Sequence, residues 1–160
     1  MIRKFIEKRK AKRTLEKFAN AEQVEKLLHG GPESAQYHHG PIEFIIIFIR
    51  GESPGEVSKR TAQVTDLANV YGATIHHIVG ALVIAVFGVP TAPAPEARKL
   101  LVQSLQHELP RDIKIIHGAA NGHYGLFGKE PTSYTFLVPQ FDRILGKLSQ
   151  LEFGHVAEFP

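Results

Sequence analysis

Residues 72–90 read GATIHHIVGALVIAVFGVP, and this stretch decides the fold. Two runs of β-branched and apolar residues, 74–79 and 82–87, predict two short strands. Gly80-Ala81 lies between them, and glycine at the first position of a two-residue loop is typical of a type II′ turn. The stretch therefore predicts a β-hairpin whose tip displays the methyl group of Ala81.

The segments on either side of the hairpin alternate between strand and helix patterns. A continuous apolar run at 42–50, IEFIIIFIR, predicts a central strand that is covered on both faces. Helices are predicted at 56–71, 96–109 and 141–151, further strands at 113–117, 133–138 and 153–157, and a glycine-rich turn region at 118–128. This order predicts an α/β (α+β) fold with a ferredoxin-like βαββαβ core and a mixed or antiparallel sheet.

The N-terminal part of the chain differs in composition from the rest. Residues 1–28 lack Pro and Gly, which predicts a helical linker segment, followed by a loop at 29–41 and a single domain at 42–160. Eight Lys and Arg against two Glu give residues 1–17 a charge of +6, so the rest of the chain carries −3. A basic helix of this kind can contact a membrane surface, whereas the acidic domain body argues against nucleic-acid binding.

Composition excludes several classes of protein. The 160 residues contain no cysteine, so neither a disulfide framework nor a zinc–thiolate site is expected. No apolar run reaches the ~20 residues of a membrane span, and the N-terminus lacks the features of a secretory signal, so a cytoplasmic location is expected. His38 and His39 adjoin in the loop, where a solvated pair is favoured over a metal site because neighbouring residues rarely ligate one ion unaided.

Four segments resemble the catalytic domain of class III adenylate and guanylate cyclases. EFIIIFIRGES (43–53) is similar to the family's first catalytic strand, and YGATIHHIVGALVIAVFGVP (71–90) is similar to its hairpin. GLFGKEPTSYTFLVPQFDRI (125–144) is similar to a later glycine-rich strand and helix, and LEKFANAEQVEKLL (15–28) resembles the helix that leads into such domains. The resemblance implies the nucleotide cyclase fold over nearly the whole chain.

The residues that the family uses for chemistry are replaced in this sequence. The resemblance places the two metal-binding aspartates on Phe48 and Ala81, which offer no oxygen ligand to Mg²⁺ or Mn²⁺. The other family positions are occupied by His77 for the purine-reading lysine, Pro139 for its partner, Asp142 for the ribose-orienting asparagine, and Gly146 for the arginine, with Lys147 next to it. No catalytic residue, metal or other cofactor is therefore expected, and Phe48 is expected to pack into the space that the metals would fill.

The pattern of replacements implies an inactive domain. In the family the active site lies at a dimer interface, where one subunit supplies the aspartates and the other supplies the lysine, asparagine and arginine. Because this chain lacks both sets, it cannot complete a shared site from either side. We expect a pseudoenzyme that acts in dimerisation or regulation of signalling, as a homodimer or as a heterodimer with another cyclase-homology domain.

Three alternatives stay open. A nucleotide sensor would use the vestigial pocket, lined by Arg50, Glu52, His77, Asp142 and Lys147. An atypical cyclase would hold Mg²⁺ or Mn²⁺ on a displaced carboxylate, for which Glu52 is favoured over Glu43 because Glu43 points to the other strand face. A ferredoxin-like nucleic-acid binder would use the basic N-terminus, although no exposed aromatic pair matches the RNA-binding pattern.

Overall fold

The hairpin lies at one edge of a six-stranded sheet in the computed structural model of the protein, which describes residues 38–88, 94–127 and 133–160. The helical linker predicted at 1–28 and most of the loop predicted at 29–41 lie outside the described residues. The strands are β1 (His38–Ile49), β2 (Thr74–Val79), β3 (Leu82–Phe87), β4 (Ile113–Phe127), β5 (Ser133–Leu137) and β6 (Val156–Phe159). The helices are α1 (Pro54–Val70), α2 (Ala97–Glu108) and α3 (Phe141–Gln150). None of these three is long and apolar enough to cross a membrane.

The strand order confirms the predicted topology. The sheet runs β2-β3-β1-β4-β5, with β6 also paired to β4. Every pairing is antiparallel except that of β4 with β6, which is parallel. Strand β3 lies between β1 and β2, and β1 lies between β3 and β4, which is the split βαβ arrangement of ferredoxin-like folds. The fold is therefore α+β, with a mixed sheet.

Strand β1 is buried on both faces, as its apolar run predicts. Ile45 and Ile47 belong to a core that α1 and α2 cover, and Phe44 and Ile46 belong to a second core that α3 covers. We call these sides the two-helix face and the one-helix face. Complete burial of one such side chain contributes roughly 1.5–3 kcal/mol, so β1 anchors both layers of the domain.

Strand β4 corrects the sequence prediction. The glycine-rich region 118–128 is predicted to be a turn, but β4 continues to Phe127 and pairs with β1 from Ile113 to Tyr124. Gly118 is required because a Cβ atom there would lie 2.5 Å from the Phe159 carbonyl oxygen in β6. The glycine therefore allows the close approach of two strands.

The ends of two other elements also differ from the sequence prediction. Strand β1 begins at His38, so residues 38–41 belong to the sheet and not to the loop predicted at 29–41. The last strand is Val156–Phe159, whereas the prediction was 153–157. Both shifts have the same cause, because pairing with β4 at a distant point of the chain sets where these strands begin and end.

Candidate functional site

The hairpin tip lies beside the end of β1. Strands β2 and β3 occupy the predicted ranges, and Gly80 has a φ of +58°, as a type II′ turn requires at its first central residue. The Ile49 N–H donates a 2.8 Å hydrogen bond to the Ala81 carbonyl oxygen, and Phe48 pairs with Leu82 in the ladder. The structure therefore brings together Phe48 and Ala81, the two positions that the resemblance assigns to metal binding.

A lysine ammonium lies next to Phe48. Lys114 is directly opposite Phe48 on β4, and its Nζ atom is 5.5 Å from the Phe48 ring centroid and 5.4 Å from that of Phe153. The same Nζ donates hydrogen bonds to the carbonyl oxygens of Ser149 (3.2 Å) and Leu151 (3.1 Å), at the C-terminal end of α3. The cation thus neutralises the negative end of the helix dipole and holds that end on the sheet.

Phe48 does not fill an enclosed space. Its ring lies 6.1 Å from the ring of Phe153, measured between centroids, and the residue is 38% exposed. This differs from the expectation that the ring would pack into the volume of two metal ions. The side chain lies on the one-helix face, where the neighbouring Lys114 and Phe153 hold it against the sheet.

The loop that joins β1 to α1 closes on itself. The Glu56 N–H donates to Ser53 Oγ (3.2 Å), and the Glu52 N–H donates to Glu56 Oε2 (2.9 Å). Ser53 is the N-cap of α1, and Pro54 follows in the first turn. The signal was present in the sequence, since Ser-x-x-Glu with proline after the serine is a capping pattern, but the prediction began the helix at residue 56.

A groove of about 580 Å³ lies between this loop and the hairpin. Glu52 and Ser53 line one side, and Ile78, Gly80 and Ala81 line the other. The structure thus places Glu52 beside the hairpin tip, where the displaced-carboxylate alternative requires it.

The other predicted pocket residues lie apart from this groove. Arg50 Nη2 donates to the Arg111 carbonyl oxygen (2.9 Å), and the guanidinium carbon lies 5.0 Å from the Phe153 ring centroid. His77 is exposed on the edge strand β2, just after a bulge in the pairing with β3. The structure therefore distributes the pocket residues predicted from sequence over several surfaces.

Helix α3 carries the remaining family positions. Pro139 is exposed before the helix, Asp142 lies in its first turn, and Gly146 is exposed in its middle with open space around it. A second groove of about 450 Å³ runs along this helix, and its lining includes Arg143, Gly146, Lys147 and Phe159. Lys147 Nζ lies 5.8 Å from the Phe159 ring centroid, so two cations and an aromatic ring share this surface.

His76 lies beside His77 on the edge strand. The two ring centroids are 5.7 Å apart. Burial, and next the charge of His77, lower the pKa of His76 from 6.5 to about 4. At neutral pH the His76 ring is therefore uncharged.

A polar network that was not predicted from the sequence lies on the two-helix face. Arg98 on α2 donates through Nε to Glu43 Oε2 (2.8 Å) and through Nη2 to Glu158 Oε1 (3.3 Å). Its Nη1 lies 2.9 Å from Nδ1 of the buried His117, and this ring nitrogen accepts because arginine can only donate. Burial, and next the Arg98 charge, lower the pKa of His117, while Glu158 raises it. The Glu43 carboxylate therefore pairs with Arg98, away from the hairpin tip.

Within 38–88, 94–127 and 133–160, no three His, Asp or Glu side chains come together in a group that could hold a metal ion.

The structure is similar to solved nucleotide cyclases. It matches the adenylyl cyclase CyaB from P. aeruginosa with 18% identity and a TM-score of 0.59, over 77% of this chain and 78% of that one. It matches the guanylyl cyclase Cya2 with 20% identity and a TM-score of 0.58, over 76% and 75%. A dimeric guanylyl cyclase domain of the RhoGC fusion protein from the aquatic fungus Blastocladiella emersonii matches with 12% identity and a TM-score of 0.62, over 78% and 81%. No protein-family model matches the sequence, and a search of curated proteins finds no match.

These matches confirm the fold that the sequence resemblance implies. The domain has the architecture of class III nucleotide cyclase catalytic domains. Identities of 12–20% support the fold alone, so the chemistry of this chain has to be argued from its own side chains.

Proposed function

We propose that this chain is a catalytically inactive cyclase-homology domain that acts in the cytoplasm as a dimerisation or regulatory module. The observation that carries the proposal is the environment of the hairpin tip. Phe48 and Ala81, to which the sequence resemblance assigns the metal ligands of a cyclase, lie next to each other, and the Lys114 ammonium lies 5.5 Å from the Phe48 ring.

The side chains at this place do not fit divalent metal ions. Mg²⁺ and Mn²⁺ need oxygen ligands, and neither a phenyl ring nor a methyl group supplies one. The fixed positive charge of Lys114 opposes a second cation nearby. Glu52 alone lines the adjoining groove as a carboxylate, and one exposed carboxylate is a poor substitute for two preorganised ligands.

The positive end of α1 is also occupied. Glu56 places its carboxylate on the Glu52 N–H, next to the Ser53 cap. A helix N-terminus attracts phosphate through its free N–H groups and dipole, and here an internal carboxylate competes for both. Phosphoryl transfer depends on positioning of the phosphates and on neutralisation of their charge. A chain without metal ligands, and with a carboxylate at the N-terminus of α1, is poorly suited to either.

A cyclase assay tests the absence of activity. The purified chain is incubated with ATP or GTP and Mn²⁺, beside an active cyclase as the positive control, and cyclic nucleotide is measured by mass spectrometry. We expect no product above the level without protein. Robust formation of cyclic AMP or cyclic GMP would overturn the proposal.

The hairpin offers a surface for dimerisation. Ile78 is 49% exposed and Val79 is 57% exposed, and both precede the turn at the edge of the sheet. Large apolar side chains that adjoin on an edge strand favour contact with a second chain. The proposed partner is a second copy of this chain or another cyclase-homology domain.

Sedimentation equilibrium tests the dimer. We expect a concentration-dependent homodimer that the double substitution Ile78→Lys and Val79→Lys dissociates. Val70→Lys is the matched control, because Val70 is 77% exposed at the end of α1 and precedes β2, whereas Ile78 and Val79 lie at the hairpin tip. A monomer at all concentrations, together with no association with a second cyclase-homology domain, would exclude this role.

The groove along α3 supports nucleotide sensing as a second candidate function. Arg143 and Lys147 place two cations beside the ring of Phe159, and this combination suits an anionic ligand that carries a base. Calorimetry with a panel of nucleoside triphosphates tests this idea. Binding that Lys147→Ala weakens and Lys59→Ala leaves unchanged would support a sensor, and an absence of heat for every nucleotide would exclude it.

A further inference from the structure

Two histidines from distant parts of the chain meet at the far end of β1. His39 on β1 is directly opposite His123 on β4, and their ring centroids are 4.7 Å apart with an interplanar angle of 54°. Directly opposed residues of an antiparallel pair point to the same face of the sheet. The sequence does not predict the contact between His39 and His123, because it depends on the pairing of β1 with β4.

The surface around this pair is open. His39 is exposed, and so are Pro41, Ala119 and Asn121, which follow it along the same face of the two strands. His123 is half-buried, so the exposed His39 ring is the one that can turn toward it at the edge of solvent. Two nitrogens that share a tetrahedral Zn²⁺ lie roughly 3.3 Å apart, as Zn–N distances of about 2.0–2.1 Å require, and rings this close reach that separation by rotation of the His39 side chain.

We propose that His39 and His123 form a binding site for a divalent transition-metal ion, with Zn²⁺, Cu²⁺ or Ni²⁺ as the suitable class. Imidazole nitrogens favour these ions over Mg²⁺ and Ca²⁺, which take oxygen ligands. Within the described residues no third His, Asp or Glu joins this pair, so the proposal rests on two protein ligands. The site is separate from the hairpin tip, and it does not depend on the proposed loss of cyclase activity.

Metal binding at this place would join two strands. The ion would link β1 and β4 near one end of their ladder, at the point along β4 where pairing with β5 begins. A ligand that binds the folded chain and not the unfolded chain raises the free energy of unfolding by mass action. The structural effect expected from the ion is therefore added stability of the β1–β4 pairing.

The pair His76 and His77 provides an internal comparison. These rings are 5.7 Å apart and belong to neighbouring residues of the single strand β2. They do not face each other across two strands. We therefore use His77→Ala as the matched control for His39→Ala and His123→Ala.

Calorimetric titration with Zn²⁺ tests the site, using the full chain without a histidine tag after removal of metals with EDTA. We expect one ion per chain, and an affinity that falls on the order of tenfold or more in His39→Ala and in His123→Ala because half of the protein ligands are lost. His77→Ala should bind as the unsubstituted chain does. Equal losses in all three variants, or no saturable binding, would overturn the proposal.

Electron paramagnetic resonance of the Cu²⁺-loaded chain gives a second readout that does not depend on stability. Two equatorial imidazoles produce a nitrogen hyperfine pattern that differs from the pattern of one. We expect two nitrogens in the unsubstituted chain and one in His39→Ala. A spectrum that His39→Ala does not change would place the ion elsewhere and contradict the assignment.

Discussion

Strand β1 has two regions that differ in polarity, one around Glu43 and the other around Phe48. At Glu43, on the two-helix face, Arg98 links two carboxylates and a buried histidine in one network. At Phe48, on the one-helix face, the side chain is apolar, and the ammonium 5.5 Å from its ring is that of Lys114, which donates hydrogen bonds to the end of α3. The comparison shows that β1 carries a charged side chain where partners surround it, and an aromatic ring beside the hairpin tip.

The largest expected effect comes from removing the centre of the network. Arg98→Ala should lower the free energy of unfolding by about 2–3 kcal/mol, because it leaves carboxylates without their counterion. The Glu43 and Glu158 side chains are 38% and 61% exposed, which keeps the loss below that of a fully buried pair. Urea unfolding followed by circular dichroism measures this change.

A neighbouring ion pair is the control for that experiment. Lys99 in the first turn of α2 and Glu96, the residue before this helix, lie 3.0 Å apart, but both side chains are more than half exposed. Lys99→Ala should therefore cost less than about 1 kcal/mol. Equal losses for the two variants would show that the Arg98 network is no more than a surface ion pair.

Acid should weaken the hairpin region through His76. The folded state lowers its pKa from 6.5 to about 4, so the unfolded chain binds a proton first as the pH falls. Stability is therefore complete above pH 6.5 and is lost as the pH falls toward 4, by up to about 2 kcal/mol between pH 7 and pH 5.

Urea midpoints of the unsubstituted chain and of His76→Gln at pH 7 and pH 5 measure this contribution. The variant should show a smaller loss on acidification. His117→Gln measures the separate contribution of the Arg98 network to acid sensitivity, since the pKa of His117 is also lowered. If His76→Gln retained the whole acid sensitivity, the hairpin would not be its source.

Lys114→Ala should destabilise the chain by about 1.5 kcal/mol. The substitution removes two hydrogen bonds from an ammonium to the carbonyl groups that end α3, and it exposes the Phe48 ring. Thermal unfolding measures the loss. Lys147→Ala is the comparison, because the Lys147 ammonium has one long contact of 3.5 Å to the Glu158 carbonyl oxygen beside its contact with the Phe159 ring. An equal loss of stability in that variant would show that the two hydrogen bonds of Lys114 have no special role.

The smallest effect is expected at the N-terminus of α1. Ser53→Ala should cost about 1 kcal/mol, because the Glu56 N–H loses its acceptor. Ser58→Ala, at an exposed position inside the same helix, should be neutral or slightly stabilising. Urea unfolding distinguishes the two, and identical results would mean that the cap contributes nothing.

Much of the fold followed from short-range sequence patterns. The hairpin at 74–87 was predicted to the residue, because glycine at the turn and two runs of β-branched residues act locally. The turn predicted at 118–128 was wrong, since glycine also permits the close approach of β4 and β6. The Ser53 cap was visible in the sequence but was not used, so the start of α1 was placed too late.

The sequence by itself determined the central strand, the hairpin and the absence of acidic residues at Phe48 and Ala81, because periodicity and side-chain chemistry are local properties. The tertiary structure decided which distant side chains meet. It placed Lys114 beside Phe48, Arg98 between Glu43 and Glu158, and His39 against His123. These contacts depend on the pairing of β1 and on helix docking, and strand register is fixed only when the buried faces of the whole sheet come together.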